Sequence, residues 1–197
     1  MEGIVSRKHD AVSDAVIQTA CRLLTTEGAE ALTTRRIAAE AGTSTMALYT
    51  RFGGKEGVAA AVYAEGFVKL ERALARAMKG IDDPGTAIVR GAMAYRRFGL
   101  RNAAYYGVMF QRTVSGFEPD RQAALRSLDL LGLQVRRAID ATGAPLDTTA
   151  VTLAIWSLCH GATALELDRE MAVISDPEKR LEDAVRALLR GFGISTP

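Results

Sequence analysis

The chain has 197 residues, enough for one ordinary domain or a small module joined to a larger one, and its 48% apolar and 24% charged residues exclude a disordered polymer. A formal net charge of +2 excludes a broadly basic surface, so any nucleic-acid footprint must be local. Cys21 and Cys159 stand far apart and outside any CxxC pair, which excludes a disulfide-built secreted domain and fits a reducing interior.

The N-terminal "MEGIVSRKHDAV" has no apolar run of the signal-peptide kind, so a cytoplasmic location is expected. Apolar residues recur at helical spacing along nearly the whole chain, and no run alternates β-branched residues between turn signals; the expected class is all-α. The first helix is expected over Ala11 to Thr26, with Val12, Val16, Ala20 and Leu23 on one face and Gly28 closing it. In "LTTRRIAAEAG", Leu32 to Gly42, Thr33 is a good N-cap for a helix over Thr34 to Glu40, because its hydroxyl can satisfy free N–H groups of the first turn; Gly42 ends that helix. In "GTSTMALYTRFGGKEG", Gly42 to Gly57, Ser44 caps a second short helix whose Leu48 and Phe52 point inward. Two short helices joined by a turn of about three residues starting at glycine make a helix-turn-helix signature. Ala38 supports it, offering only a methyl group where the helices would cross.

From Lys55 a longer helix should carry Val58, Val62, Phe67, Leu70 and Leu74 until "GIDDPG", where Asp83 before Pro84 caps the next helix, which reaches about Phe98. "RNAAYYGVMF" reads as a short apolar helix and "TVSGFEP" as a loop. Pro119 then opens a helix bearing Leu125, Leu128, Leu131 and Val135, which "TGAPLD" ends. Asp147 starts an uncharged helix, and Asp176 before Pro177 starts the last one.

The uncharged stretch from Thr148 to Leu165 runs for 18 residues without Lys, Arg, Asp or Glu, close to the length of a membrane span. Its Thr148, Thr149, Thr152, Ser157, His160 and Thr163, and its acidic flanks Asp147, Glu166 and Asp168, argue instead for a helix buried in protein. Val151, Ile155, Leu158, Ala162 and Leu165 step by four, three, four and three, a coiled-coil-like seam, while Thr152, Trp156, His160 and Thr163 make a second face. A monomer needs one buried face, so two point to packing both within the protomer and against a partner. With Leu181, Val185, Leu188 and Phe192 of the last helix, the seam makes half of an expected four-helix homodimer interface; the bland alternative is an ordinary monomeric core.

At this point the segment "GAEALTTRRIAAEAGTSTMALYTRFGGKEGVAAAV" resembles the DNA-binding part of the tetracycline-repressor (TetR) family of bacterial transcriptional regulators. The resemblance rests on Thr33, Ile37, Ala38, Ala41-Gly42, Ser44, Leu48-Tyr49, Phe52 and Lys55 in order; Gly54 departs from it, standing where a capping Ser, Asp or Asn is common. "YRRFGLRNAAYYGVMF" and "AIWSLCHGATALEL" are similar to the ligand-binding part of a branch named for a Trp-His-Gly pattern, here Trp156, His160 and Gly161. The resemblance implies a helix-turn-helix DNA-binding domain over residues 1–55 and a helical ligand-binding and dimerisation domain over residues 56–197. It implies that Tyr49 and Lys55 hold DNA phosphates, for which a phenol and an ammonium at a helix start are suited.

The chemistry of the other head residues can be read beside this. Thr33, Thr34, Ser44 and Thr45 lie at the two helix starts, and Thr33 and Thr45 can donate hydroxyls to the DNA backbone. Thr45, Met46, Ala47 and Thr50 offer methyl and hydroxyl groups suited to thymine methyls in the major groove, and Arg35 carries a guanidinium fork for guanine. Arg36 and Arg51 meet either phosphate or water. The expected partner is double-stranded operator DNA.

Candidate effector contacts are Tyr95, Phe98, Tyr105, Tyr106, Met109, Phe110, Phe117, Trp156 and His160, an apolar set with a few O–H and N–H groups. Such a set at helical spacing can equally be plain core. The effector is expected to be small and apolar; Arg96, Arg97 or Arg101 would be needed to meet an ionic one. An enzyme is not expected. Cys159 and His160 diverge by about 100° on one helix, His9 is the only other histidine, "GGKEG" has Glu56 where a phosphate loop needs Ser or Thr, and the spacing of Cys and His builds no metal site. No cofactor is expected. The alternative is a ligand-binding helical dimer without DNA binding, which should not keep Thr33, Tyr49 and Lys55 together.

Overall fold

The computed structural model describes residues 10–110, 114, 116–119, 121–170 and 174–196, Arg121 by its backbone alone. His9 and the rest of the N-terminal stretch, and part of the "TVSGFEP" loop, lie outside the described residues. Among the described residues there are nine α-helices and no strand: α1 (Ala11–Glu27), α2 (Thr34–Glu40), α3 (Thr45–Phe52), α4 (Lys55–Met78), α5 (Pro84–Arg101), α6 (Ala103–Phe110), α7 (Arg121–Thr142), α8 (Thr148–Leu167) and α9 (Pro177–Gly191). The all-α expectation holds.

The helix starts are where side-chain oxygens put them. Asp10, Thr33, Ser44, Asp83, Asp147 and Asp176 each accept a hydrogen bond from a first-turn N–H, and Pro84 and Pro177 occupy first-turn positions where no N–H is missed. Gly28 ends α1 at φ +81°, ψ −176°, an extended left-side conformation reserved for glycine, and leads into a short 3-10 turn, Ala29–Ala31, that the sequence reading did not anticipate.

The chain forms two compact units, Met1–Gly66 with Ala104–Pro119, and Phe67–Ala103 with Asp120–Pro197. One of the points where the chain passes from the first unit to the second falls inside α4, between Gly66 and Phe67. In the first unit, Val16, Ile17, Ala20 and Leu23 of α1 close on Ile37 and Ala38 of α2 and Leu48 of α3, all essentially without exposed surface. Phe52 is only half-buried, so Leu48 is the inward residue of α3. In the second unit, α5 packs against α7, α8 and α9, and 12 of its 18 residues are buried, which makes it the central helix.

Two expected faces shift. On α7, Leu125 is 56% exposed; the buried residues are Ala123, Ser127, Val135, Ala138 and Ile139, because the inward stripe lies roughly 160° from Leu125 at its start. On α8 the buried ridge is Val151, Ile155, Cys159 and Thr163, an unbroken i,i+4 row of the kind that fits helix grooves, in place of the 4-3-4-3 seam. Thr152 and Thr163 tolerate burial because their hydroxyls donate to the carbonyls of Thr148 and Cys159, both at 2.7 Å. Among the described residues α8 alone is long and apolar enough to cross a membrane, but this ridge is packed into the protein.

Candidate DNA interface and effector cavity

The helix-turn-helix is fixed by paired caps. Thr33 Oγ1 accepts from the Arg36 N–H at 3.3 Å and Ser44 Oγ from the Ala47 N–H at 3.0 Å. Between them α2 ends in a Schellman turn, with the Gly42 N–H donating to the Ala39 carbonyl at 3.3 Å and the Thr43 N–H to the Ala38 carbonyl at 2.9 Å. Gly42 takes φ +67° to close it. With Leu48 turned inward, α3 presents Met46, 73% exposed, and Tyr49, 55% exposed, together with exposed Thr45 and Thr50; Ala47 is half-buried. Two large apolar side chains standing in solvent on an eight-residue helix serve no core, and they share one surface. Thr50 donates its hydroxyl to the Met46 carbonyl at 2.9 Å. Thr34 is half-buried, Arg35 is exposed at the first turn of α2, and Lys55 is half-buried as the first residue of α4.

The other two arginines are committed within the head. Arg36 donates to both Glu27 oxygens, at 2.6 and 2.7 Å, and to Glu40 at 2.8 Å; Glu40 also takes Arg22. These bonds hold the Glu40 carboxyl below its usual range, Arg22 contributing most. Arg51 pairs with Asp10 at 2.8 Å. These pairs tie α2 and α3 to the α1 ends, while 40% of the Arg36 side chain and 35% of the Arg51 side chain remain in solvent.

Sequence reasoning missed what the glycines after α3 do. Gly53 at φ +77° caps α3, and Gly54 sits at φ +123°, where a capping Ser, Asp or Asn would be strained. The departure at Gly54 is therefore a backbone requirement, and the Tyr49 ring lies beside it: a Cβ at 54 would stand 3.4 Å from Tyr49 Cε1. Gly57, inside α4, is there for close approach, since a Cβ on it would fall 1.5 Å from the Phe52 carbonyl oxygen. The available signal was a glycine in a helix interior, a costly choice that needs a reason.

The nine expected effector residues divide between the two units. Tyr105, Tyr106, Met109, Phe110 and Phe117 belong to the first, where they pack helices. The Tyr105 hydroxyl donates to Glu65 Oε1 at 2.7 Å, and burial foremost, then this carboxylate, pushes the phenol above its ordinary range. Met109 presses on Gly66, whose Cβ would meet its sulfur at 2.5 Å; Phe117 meets Tyr63 edge-on at 5.6 Å, and Tyr106 lies 4.8 Å from Phe110. Phe98 is buried in the second unit, beside a different groove.

Tyr95, Trp156 and His160 do come together there. The Tyr95 hydroxyl and His160 Nδ1 are 3.0 Å apart, and the Trp156 and His160 rings are 5.6 Å apart. Tyr95 and Trp156 line a narrow cavity of about 40 Å³ whose other walls are Leu70, Leu74 and Met78 of α4, Leu128 and Leu131 of α7, and Ile155 and Cys159 of α8. Its polar groups are occupied: Ser127 Oγ donates to the Ala124 carbonyl at 2.8 Å. Burial pushes the Cys159 thiol up to about 12, so it stays protonated and inert. Arg96, considered above as a ligand partner, is instead bound to Glu166 and Glu178.

Burial also lowers the pKa of His160 below its ordinary value. The unfolded chain therefore binds a proton near pH 6.5 that the folded chain refuses, and stability falls as pH drops through 6.5 toward the lower folded value. His160→Gln should flatten the dependence of the urea midpoint between pH 7 and 5; an unchanged slope would assign it to another group.

The expected dimer set also divides. Val151, Ile155, Leu181 and Val185 are at most 4% exposed within the protomer, which leaves them no surface for a partner. Leu158, Ala162, Leu188 and Phe192 are half-buried and Leu165 is 49% exposed, with Leu153 at 45%. Two residues of offset turn a helical side chain by roughly 200°, so the row opposite the buried ridge is Leu153, Ser157, Gly161 and Leu165.

A family model described as "Bacterial regulatory proteins, tetR family" matches residues 16–62, and one described as "Tetracyclin repressor-like, C-terminal domain" matches residues 88–188. No curated protein matches the chain in sequence. Among solved structures, a protein of unknown function from Rhodococcus sp. RHA1 superposes with a TM-score of 0.80 at 23% identity, over 95% of this chain and 98% of that one. The TetR family transcriptional regulator PfmR from Thermus thermophilus gives 0.63 at 21%, over 89% and 97%, and the fatty acid degradation regulator FadR from Bacillus halodurans gives 0.74 at 15%, over 96% and 100%. These likenesses establish a shared fold, and the two family matches cover the capped turn of α2 and α3 and the cavity walls from α5, α7 and α8, while the cavity residues of α4 lie between them. The chain belongs to the TetR family of bacterial DNA-binding transcriptional regulators.

Proposed function

We propose that the protein is a homodimeric, ligand-responsive repressor that leaves a palindromic operator when a small apolar effector enters the cavity beside Trp156. The observation that carries this reading is the exposed face of α3, held by caps on both sides of its turn. In it, Thr45, Met46, Ala47 and Thr50 meet bases in the major groove, Arg35 reads guanine, and Thr33, Thr34, Ser44, Tyr49 and Lys55 hold the backbone. Residues 1–55 act as the DNA-binding domain and residues 56–197 as the effector and dimer domain. Trp156, His160 and Gly161 support the reading that it belongs to the Trp-His-Gly branch.

The cavity wall supports an apolar effector, because it offers hydrocarbon, an indole and the Tyr95 ring, whose hydroxyl meets His160, and no charge. At about 40 Å³ it must widen to take one, and unbranched Met78, against Gly91, is the adaptable plug. One helix, α4, begins at Lys55 and reaches the cavity with Leu70, Leu74 and Met78, so effector-induced movement there shifts the population of DNA-competent dimers whose α3 helices sit roughly 34–36 Å apart. The exposed row of α8 meets its equivalent across the two-fold axis. The protein works in the cytoplasm, without enzymatic activity, cofactor or membrane.

Selection of bound duplexes from a random pool should enrich a palindrome; enrichment of none would remove the operator. On that palindrome, Arg35→Ala should cost about 1–3 kcal/mol and spare random DNA, whereas Lys55→Ala should weaken both alike and reduce the salt slope by about one unit. Leu165→Asp, introducing a charge where the partner is expected, should give monomers by light scattering and no operator binding. A persistent dimer would move the interface off this row.

A further inference from the structure

Between α4 and α5 of the second unit lies a groove of about 490 Å³ that shares no lining residue with the apolar cavity. Lys69 and Arg76 of α4 and Arg97 and Arg101 of α5 line it over a floor of alanines and Phe98, and no carboxylate is among the lining residues. Helical spacing builds the two walls: Lys69 and Arg76 are seven apart and Arg97 and Arg101 four apart, so each pair stands on one side of its helix. Like charges four apart on a helix repel, which favours an anion between the walls.

The neighbouring Arg96 shows the contrast. It has Glu166 at 2.7 Å and Glu178 at 2.9 Å, whereas Arg97 reaches only Glu178, already shared with Arg96, and at 3.7 Å. Arg97 keeps 42% of its side chain in solvent. Arg76 donates its Nε–H to the Arg72 carbonyl at 3.1 Å, a bond that holds the guanidinium near its own helix beside the groove. A chain with a net charge of only +2 thus concentrates four cations on one concavity.

We infer that this groove is a second ligand site, for an organic phosphate carrying at least two negative charges and an apolar or aromatic group. Guanidinium forks match phosphate oxygens two at a time, and wall cations on both sides place the phosphates between them. The alanine floor leaves flat apolar ground for the rest of the molecule. The volume lies within the roughly 300–1,000 Å³ usual for small-ligand sites, and a concavity of this size suits a small molecule better than the convex backbone of a duplex.

Calorimetry of the full chain, without divalent metal, against inorganic pyrophosphate, adenosine triphosphate and adenosine tests this. The nucleotide should bind most tightly, pyrophosphate more weakly through charge alone, and adenosine not at all. Arg76→Gln and Arg101→Gln, each at an exposed or half-exposed surface position, should each weaken nucleotide binding about tenfold and leave the thermal midpoint unchanged. Arg101→Glu should abolish it. Nucleotide binding unaltered in all three variants, or adenosine binding as well as its triphosphate, would overturn the site. So would a random-sequence duplex that displaces the nucleotide and itself loses affinity on Arg101→Glu, which would give the groove to nucleic acid.

Discussion

Gly57→Ala should separate α3 from α4 and weaken operator binding at least about tenfold, although it replaces a poor helix former with the best one. On propensity alone the change would add about 1 kcal/mol to α4. The geometry decides otherwise. A methyl at 57 would lie 1.5 Å from the Phe52 carbonyl oxygen, well inside any non-bonded contact, and the obstacle is backbone, which cannot swing aside as a side chain can. Either the first turn of α4 moves out or the end of α3 is pulled apart, and Tyr49, Gly53, Gly54 and Lys55 all sit on that junction. Overpacking of this kind costs about 3 kcal/mol net, read as a lower urea midpoint. The DNA consequence is separable from the global one: at a temperature where the variant is still folded by circular dichroism, gel-shift affinity for the selected operator should fall at least about tenfold, because the phosphate-holding residues shift together. Gly57→Ala that keeps both its stability and its operator affinity would show that the α3–α4 contact yields without cost.

The head was legible in the sequence because its determinants are local. Thr33, Ser44 and Asp83 act on N–H groups three residues away, and Leu48 and Ala38 reveal their burial by spacing and size, so caps, turn and family pattern agree before any tertiary contact is known. The roles of Arg36 and Arg51 were not legible, since a guanidinium near a DNA-facing helix looks the same whether it meets phosphate or a carboxylate 9 or 41 residues back in the chain. The α8 seam failed for a related reason. On a helix apolar on every side, a 4-3-4-3 count and a 4-4-4 count fit equally well, and only the helices packed on Val151, Ile155, Cys159 and Thr163 choose between them. The aromatic residues of α6 were grouped with Trp156 by composition, yet Tyr105 and Met109 answer to Glu65 and Gly66 of the first unit, contacts that separation of about 40 residues conceals.

Arg96→Met should be the most damaging single change in the second unit, about 3 kcal/mol, although methionine matches the arginine stem and is welcome in a core. Only 9% of the Arg96 side chain is exposed, and it fastens three helices, donating from α5 to both Glu166 oxygens on α8, at 2.7 and 2.8 Å, and to Glu178 on α9 at 2.9 Å. Removing the cation leaves Glu166, 20% exposed, without its bidentate partner, while half-exposed Glu178 can turn to water and to Arg97, so most of the cost falls on Glu166. The figure is set toward the lower end of the range for broken buried pairs because this solvent access screens one of the two carboxylates. Arg97→Met, one position on, should change stability by less than about 0.5 kcal/mol, since its contact with Glu178 is long and exposed. The double variant Arg96→Met/Glu166→Met distinguishes charge from packing. If the loss comes from a stranded carboxylate, removing both partners restores most of the urea midpoint, because a buried ion pair and an apolar pair of similar volume are nearly equivalent. A double variant as unstable as the single one would mean that the arginine stem, packed between α5, α8 and α9, contributes through its contacts rather than its charge.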